Sequence, residues 1–296
     1  MAGIIAPAMR HSESLFFDIR GLRYHVRHWK GKAERKIFLL HGWMDVSASF
    51  QFLVDAMAPD WDVYAPDWRG YGLTAWSGSD NYWFPEYLGD LEAVLERIQP
   101  EAPVNLVGHS LGGNVGGLYA GIRPERIARF VNLEGFGMPL TRPEQAPKRY
   151  ARWMDELREN HGWRPYADYA ALADRLQKNN PRLNRERAEF LARHWGKDAE
   201  QGGVILRSDP AHKLVNATLY RLDEARACWE RVTAPVLWVD AAESETITRM
   251  KLTPADLAER RGTFKNLSYH TVANAGHMLH HDQPEAVAKL IEDFLV

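Results

Sequence analysis

A glycine-framed run near the middle of the chain constrains the fold more than any other feature of the sequence. Residues 104–113 read Val-Asn-Leu-Val-Gly-His-Ser-Leu-Gly-Gly, in which an apolar strand runs straight into Gly-x-Ser-x-Gly and then into a helix-forming segment. This pattern predicts a nucleophile elbow, a strand-to-helix turn so tight that the residues flanking the serine must be very small. Such a turn strains the backbone of Ser110, lifts its hydroxyl above the sheet edge and aims the Leu111 N–H at the site of an oxyanion. We therefore expect Ser110 to be a nucleophile.

Short apolar segments alternate with helical ones on both sides of this turn. Residues 15–19 and 22–29 predict a hairpin that turns at Arg20-Gly21. Because short, fully apolar strands separated by helices are typical of parallel sheets, the sequence predicts an α/β fold with a mostly parallel central sheet and helices on both faces. The further predicted strands are 37–40, 61–65, 127–133, 236–239 and 267–272, and the predicted helices are 82–98, 254–261 and 284–296.

The alternation breaks between residues 135 and 231, where helical patterns rich in Arg and Glu follow one another without a convincing strand. We interpret 135–231 as a helical cap inserted after the sixth strand, over the edge where open α/β sheets bind ligands. The α/β core then comprises 1–134 and 232–296. A separate helical domain beside the core is the alternative interpretation.

Composition limits the classes of partner and compartment. A 45% hydrophobic content over 296 residues allows a substantial core, and a net charge of −2 gives no reason to expect a nucleic-acid or membrane partner. The single cysteine, Cys228, excludes an internal disulfide and favours a reducing, cytoplasmic location. The first ten residues do not resemble a signal peptide, and no run approaches the ~18 apolar residues of a membrane span. Oligomeric state is not predicted.

Four motifs in a fixed order carry a resemblance to a known family. Their order resembles that of the α/β-hydrolase superfamily over nearly the whole chain, and the chain looks most like its small capped serine esterases and serine-hydrolase-like proteins. The resemblance implies a serine–acid–histidine triad and a hydrolase without a cofactor. The motifs are Phe-Leu-Leu-His-Gly-Trp at 38–43, Asp-Trp-Arg-Gly-Tyr-Gly at 67–72, Gly-His-Ser-Leu-Gly at 108–112 and Ala-Gly-His-Met-Leu at 275–279.

A serine hydroxyl needs a general base, because it is a poor nucleophile near neutral pH. The chain has twelve histidines. In the family the catalytic histidine lies in a loop after the last strand, and the serine–acid–histidine order places the base last. The resemblance therefore implies His277, in Ala-Gly-His, as the base of Ser110.

Other histidines near the motifs are interpreted as structural. We expect His41 and His109 to pack or to form hydrogen bonds rather than to act as bases. His280 and His281 are interpreted as leading into the helix that Pro284 opens. A metal site is not expected, because the three adjacent residues His280-His281-Asp282 cannot all face one ion.

The position of the acid departs from the most common family pattern. Most members carry an aspartate after the strand that is here 236–239, but this chain has Ser244 at that position. Some relatives, including haloalkane dehalogenases and certain small esterases, carry the acid after the preceding strand, at a spacing from the nucleophile that Glu134 matches. A carboxylate at the end of a buried strand also needs a partner. We assign Glu134 as the acid and keep Glu243 and Glu245 as alternatives.

The oxyanion hole requires two N–H donors about 3 Å from the developing charge. Leu111 supplies one, and the resemblance implies that the residue after His41-Gly42, Trp43, supplies the other through its backbone. Asp67 and Arg69 belong to a family loop motif and are expected to form structural pairs that fix the loop.

These assignments predict an ester hydrolase for a small or medium substrate that proceeds through an acyl-enzyme. A serine at the elbow argues against haloalkane dehalogenase and epoxide hydrolase chemistry, for which the resemblance would require an aspartate. Lactonase, amidase, C–C hydrolase and cofactor-free perhydrolase reactions remain alternatives, as does a non-catalytic relative that only binds a ligand. Tryptophans pack in protein cores more often than they line pockets. The candidates for lining an apolar pocket are Trp43, Trp68, Trp153 and Trp163.

Overall fold

The computed structural model describes residues 9–33, 35–159 and 161–296. The N-terminal segment discussed above therefore lies almost entirely outside the described residues. The strands are β1 Glu13–Ile19, β2 Leu22–Trp29, β3 Arg35–Leu40, β4 Trp61–Pro66, β5 Val104–His109, β6 Ile127–Leu133, β7 Gly196–Asp198, β8 Val204–Leu206, β9 Val236–Ala241 and β10 Leu267–Val272.

Helices occupy most of the connections between these strands. Short 3₁₀ turns at Ser47–Phe50, Pro124–Arg126, Pro143–Gln145 and Pro210–Lys213 supplement them. The helices are α1 Gln51–Ala56, α2 Phe84–Ile98, α3 Leu111–Ile122, α4 Ala146–Glu156, α5 Tyr169–Asn179, α6 Arg185–Trp195, α7 Leu222–Trp229, α8 Glu245–Met250, α9 Pro254–Arg261, α10 Leu279–Asp282 and α11 Pro284–Leu295.

One sheet of eight strands forms the centre of the fold, in the order β1-β2-β4-β3-β5-β6-β9-β10. The strands from β4 to β10 in this order run parallel to their neighbours, whereas β1 and β2 are antiparallel. The predicted hairpin is present, and both residues of its two-residue turn have a positive φ, 52° at Arg20 and 76° at Gly21. The predicted α/β fold with a mostly parallel sheet is confirmed.

The central strands are largely apolar where they are buried, because both faces of the sheet are covered. On β3, Ile37 and Leu39 pack on one face in a cluster with α1 and α11, and Phe38 and Leu40 pack on the other with α2 and α3. All four are fully buried. Burial of a side chain of this size stabilises the fold by about 1.5–3 kcal/mol, so this layer holds the strand ends, and the loops that follow them, in fixed positions.

Residues 135–231, called the inserted segment below, connect β6 to β9. Helices α5 and α6 pack around a small apolar cluster of their own that includes Leu172, Leu176 and Leu191. The expectation of a purely helical segment was wrong, because β7 and β8 pair as an antiparallel ribbon closed at Gly202-Gly203. Strands of three residues are too short to produce a visible alternation of apolar and polar positions in the sequence.

Residues 207–213 of the inserted segment form one of its contacts with the core. The Gly72 N–H donates to the Arg207 carbonyl (2.7 Å), and the Asp209 N–H donates to the Gly70 carbonyl (2.7 Å). The His212 ring stacks between Tyr71 and Tyr82, with centroids 3.8 Å from each. No helix within the described ranges is long and apolar enough to cross a membrane.

Candidate active site

Ser110 occupies the turn between β5 and α3, in the strained conformation that the motif predicts. Its φ is 52° and its ψ is −112°, values that cost a non-glycine residue about 1–3 kcal/mol. A methyl group at Gly108 would overlap the Gly112 carbonyl, and one at Gly112 would overlap the Leu40 carbonyl. The Ser110 N–H donates to the Leu133 carbonyl of the neighbouring strand (2.9 Å). The flanking glycines are therefore required by close backbone packing.

Three side chains from separate loops form a continuous hydrogen-bonded relay. The Ser110 hydroxyl lies 3.0 Å from His277 Nε2, and His277 Nδ1 lies 3.0 Å from Glu134 Oε2. Because an ionised carboxylate only accepts hydrogen bonds, Nδ1 carries the proton and Nε2 presents its lone pair to the serine. This is the tautomer that a general base requires.

Glu134 follows β6 directly and is almost completely buried. Its backbone N–H donates to the Val239 carbonyl (3.0 Å), and its φ of 58° turns the side chain toward His277. Oε1 accepts the Ala241 N–H (2.7 Å), and Oε2 accepts the Ser244 hydroxyl in addition to His277. The buried charge thus has three donors, which offset the cost of removing it from water. Ser244, at the position where the sequence resemblance implied an aspartate in most members, donates to the glutamate.

The alternative acids, Glu243 and Glu245, lie in exposed positions and form ion pairs with Arg182 of the inserted segment. Glu245 does contact His277, but through the backbone, since its Oε2 accepts the His277 N–H (3.1 Å). Partial burial favours protonation of Glu245, but the His277 N–H and Arg182 outweigh it and lower its pKa. The described hydrogen bonds of the His277 imidazole are with Ser110 and Glu134, and its ring also contacts that of His109. The sequence pattern contained no sign of the Glu245 backbone contact.

The two proposed oxyanion donors border Ser110. Leu111 is the first residue of α3, where backbone N–H groups have no partner within the helix and carry the positive end of its dipole. A methyl group at Gly42 would lie 3.3 Å from Ser110 Cβ, which places the Gly42-Trp43 backbone beside the serine. The Trp43 side chain is 55% exposed, and its indole N–H donates to the His212 carbonyl of the inserted segment (3.2 Å).

His41 and His109 are both buried and hydrogen-bonded, as the sequence analysis interpreted them. His41 Nδ1 donates to the Gly42 carbonyl (2.8 Å), and its Nε2 accepts the Trp68 N–H (2.9 Å). Burial lowers the pKa of His41 to about 4, so it is neutral and can accept this bond. His109 Nε2 donates to the His277 carbonyl (2.8 Å), which fixes the loop of the proposed base.

Asp67 and Arg69 form structural pairs, each with a residue outside their motif. Asp67 accepts His25 Nδ1 (2.7 Å) and the Ser47 N–H (2.7 Å). Arg69 donates two bonds of 2.6 Å to Asp90, in the middle of α2. The loop 67–74 is therefore tied to both neighbouring layers, with no described contact to the relay.

The four candidate tryptophans differ in environment. Trp68 is fully buried, and its indole donates to the His41 carbonyl (2.9 Å), so it belongs to the core. The Trp163 indole donates to the Ser208 carbonyl (2.6 Å), and the ammonium group of Lys213 lies over its ring. Trp153 lies on α4 and is partly buried. Of the four, Trp43 is the one that directly follows Gly42, whose backbone borders Ser110.

Comparison with known proteins agrees with this geometry. A family model described as alpha/beta hydrolase fold matches residues 36–284. A serine hydrolase-like protein of Danio rerio is 26% identical over 276 residues, covering 90% of this chain and 83% of the relative. Esterase Rv0045c of Mycobacterium tuberculosis is 25% identical over 275 residues, covering 90% and 84%. The solved thioesterase domain from the curacin biosynthetic pathway superposes with a TM-score of 0.85 at 22% identity, covering 95% of this chain and 99% of that chain, which shows the shared fold.

Proposed function

We propose that this chain, which belongs to the alpha/beta hydrolase fold family, is a serine hydrolase that cleaves carboxylic ester bonds of small or medium substrates through an acyl-enzyme. The observation that carries the proposal is the relay of Ser110, His277 and Glu134, with both links at 3.0 Å, on a strained elbow. A hydroxyl, a base in the correct tautomer and a buried carboxylate are the components that acyl transfer requires.

In the proposed acylation step, His277 Nε2 takes the proton of Ser110 as the hydroxyl oxygen attacks the ester carbonyl. The Trp43 and Leu111 N–H groups donate to the resulting oxyanion, and each such donor typically lowers the barrier by about 3 kcal/mol. Glu134 stabilises the imidazolium that forms, because its charge is held in place by Ala241 and Ser244. His277 then protonates the departing alcohol.

In the proposed deacylation step, a water molecule takes the place of the alcohol. His277 removes one of its protons, the resulting hydroxide attacks the acyl carbon, and the acid product leaves as Ser110 recovers its proton. The reaction needs no cofactor. The same chemistry requires that the relay be intact in both half-reactions, so each member is expected to be essential.

The inserted segment is proposed to be a cap that shapes the acyl or alcohol site. It begins one residue beyond Glu134, and its His212 carbonyl accepts a hydrogen bond from the indole of Trp43, the residue after Gly42. Large apolar side chains on and just after α4 are at least 39% exposed, namely Tyr150, Met154 and Leu157. An apolar face on a segment that starts at the acid supports an apolar substrate group of limited size.

The proposal is tested with an activity-based fluorophosphonate probe and a panel of p-nitrophenyl esters from acetate to dodecanoate. Ser110→Ala should abolish labelling and reduce kcat by several orders of magnitude, because triad members act as a unit. Ser79→Ala, at an exposed serine, is the matched control and should behave as the wild type. Labelling or turnover of Ser110→Ala at the wild-type level would refute the nucleophile assignment.

A further inference from the structure

A second cluster of chemically active side chains lies behind the relay and takes no part in the proposed reaction. Asp45, His109 and His280 come from the loop after β3, the end of β5 and α10. One ligand-type atom from each of the three lies within 4.8 Å of the other two. The residues are separated by long stretches of sequence and share no motif, so sequence reasoning did not connect them.

Each of these residues has a buried polar atom without a partner. The three are 2%, 1% and 0% exposed, yet Asp45 Oδ2, His109 Nδ1 and His280 Nδ1 have no hydrogen-bond partner in the structure. An unsatisfied buried group of this kind costs about 1–3 kcal/mol. Three residues with such atoms in one cluster indicate a binding site for a group that is not part of the protein.

The remaining contacts of the three side chains limit which atoms can face an ion. Asp45 Oδ1 accepts the Val46 N–H (2.8 Å), whereas Oδ2 has no hydrogen-bond partner, although the Ser49 and Trp195 side chains lie near the carboxyl. His109 Nε2 donates to the His277 carbonyl, so its Nδ1 carries a lone pair. His280 Nε2 lies 3.3 Å from the Ser49 hydroxyl and 4.0 Å from Asp45 Oδ2.

The donor types of the cluster are those of a transition-metal site. Two imidazoles and a carboxylate, all buried and drawn from three separate segments, are donors that such metals bind well.

We propose that Asp45, His109 and His280 bind one divalent transition-metal ion of the Zn²⁺ type. A cation accepts three lone pairs at once, whereas a water molecule has only two protons to donate. Ligands at about 2.0–2.2 Å from zinc stand roughly 3.4 Å apart in tetrahedral geometry, so modest side-chain rotations close the present cluster around an ion. A water molecule or a second Asp45 oxygen completes the coordination.

This site differs from the one that the sequence analysis rejected. His281 and Asp282 are turned elsewhere: Asp282 accepts the Gly276 N–H (2.8 Å) and the Asn180 amide (2.7 Å), and His281 packs against Ser49 and Phe52. Only His280 of that run reaches the cluster. An ion held here would join the loop after β3, the elbow strand and α10, and should stabilise all three against unfolding.

The test uses the full chain, stripped with a chelator and then equilibrated with Zn²⁺ alone for several hours, because the ligands are buried. We expect one ion per chain by elemental analysis after dialysis, and a rise in Tm of several degrees. Asp45→Asn and His280→Phe should each lose the ion and the Tm rise, whereas His270→Gln, at an exposed histidine of β10, should retain both. The Tm of each metal-free variant, measured separately, distinguishes lost binding from lost folding.

Co²⁺ provides a second readout on the wild type that needs no variant. Visible absorption typical of nitrogen and oxygen ligands is expected, without the thiolate charge-transfer band that binding at Cys228 would give. Failure of the wild type to retain Zn²⁺ would overturn the proposal. A buried water molecule would then be the expected hydrogen-bond partner in the cluster. Retention of the ion by both Asp45→Asn and His280→Phe would also overturn it, because the ion would then lie elsewhere.

Discussion

The turns that follow β6 and β9 both bring carboxylates close to His277, but in opposite environments. Glu134, after β6, is 1% exposed and accepts bonds from Ala241, Ser244 and His277. Glu243 and Glu245, after β9, are exposed and pair with Arg182. The later turn is richer in acidic residues, yet the earlier one holds the carboxylate that faces the imidazole. Burial with dedicated donors, rather than the number of nearby acids, distinguishes the carboxylate that we propose as the acid from the solvated ones.

The largest expected effect comes from removing the charge of the earlier turn. Glu134→Gln keeps the size of the side chain but removes the charge that stabilises the His277 imidazolium, and its amide can favour the wrong tautomer. We expect kcat/KM for a p-nitrophenyl ester to fall by about 10⁴-fold, as for the corresponding change in a serine protease. Circular dichroism must show a folded protein. Glu243→Gln is the matched control and should remain within several-fold of wild type.

The assignment would be wrong if Glu134→Gln kept a kcat/KM near that of the wild type while a Glu243 or Glu245 variant lost most of it. The acid would then belong to the turn after β9, as in most members of the family.

The second prediction exchanges the two turns. Glu134 Oε2 lies between His277 Nδ1 and the Ser244 hydroxyl, so a carboxylate introduced from the Ser244 side can reach the same space. The double variant Glu134→Ser with Ser244→Asp should regain roughly 10²-fold in kcat/KM over Glu134→Ser alone, about 3 kcal/mol of transition-state stabilisation. Equal rates for the single and double variants would show that the turn after β9 cannot present an acid to this imidazole.

The third prediction concerns Asp240, at the end of β9. Burial, and then the charge of Glu134, raise the pKa of Asp240 to about 6 although Trp238 and Arg261 bond to it. A raised folded-state pKa means that the native protein binds this proton more tightly than the unfolded chain does. The stabilisation that the protonated Asp240 carboxyl contributes is therefore present below about pH 4 and is lost as pH rises to about 6.

Asp240→Asn should accordingly increase the free energy of unfolding at pH 7 by on the order of 2 kcal/mol and should have little effect at pH 3.5. Urea titrations across this pH range measure the difference. In a Glu134→Gln background the gain should shrink, because one cause of the raised pKa is gone. A gain that is independent of pH would contradict this account.

The smallest effect is expected for Glu245→Gln, in the later turn. An amide oxygen can still accept the His277 N–H, but the ion pair with Arg182 is lost, and exposed pairs contribute only about 0–1 kcal/mol. We expect kcat/KM to change by less than about fivefold. Arg182→Gln, which removes the partner, should match it, and the agreement of the two is measured on the same ester.

The sequence predicted the strands of the core more accurately than the inserted segment. The bounds of β6, α9 and β10 were predicted to the residue. Apolar residues mark the buried part of β6, and Pro254 marks the first turn of its helix. The ribbon of β7 and β8 was missed, since its pairing depends on the turn at Gly202-Gly203 and not on any alternation of side chains.

Local motifs also determined how much of the site could be predicted. Ser110 and its flanking glycines are contiguous, so one window of sequence contains the elbow, and the structure places His277 and Glu134 beside it. No short stretch of sequence contains Asp45, His109 and His280 together. Their cluster forms because the sheet brings three distant segments together, and each member looks like an ordinary buried polar residue until the others are seen.

The stack of His212 between Tyr71 and Tyr82 determines where this chain can be cut and recombined with its relatives. A chimera that exchanges only the inserted segment would remove the carbonyl that anchors the Trp43 indole and leave two aromatic rings facing a gap. The transferable module is therefore the inserted segment together with residues 70–82. Crossover points chosen at the ends of β6 and β9 alone would divide one structural unit between two parents.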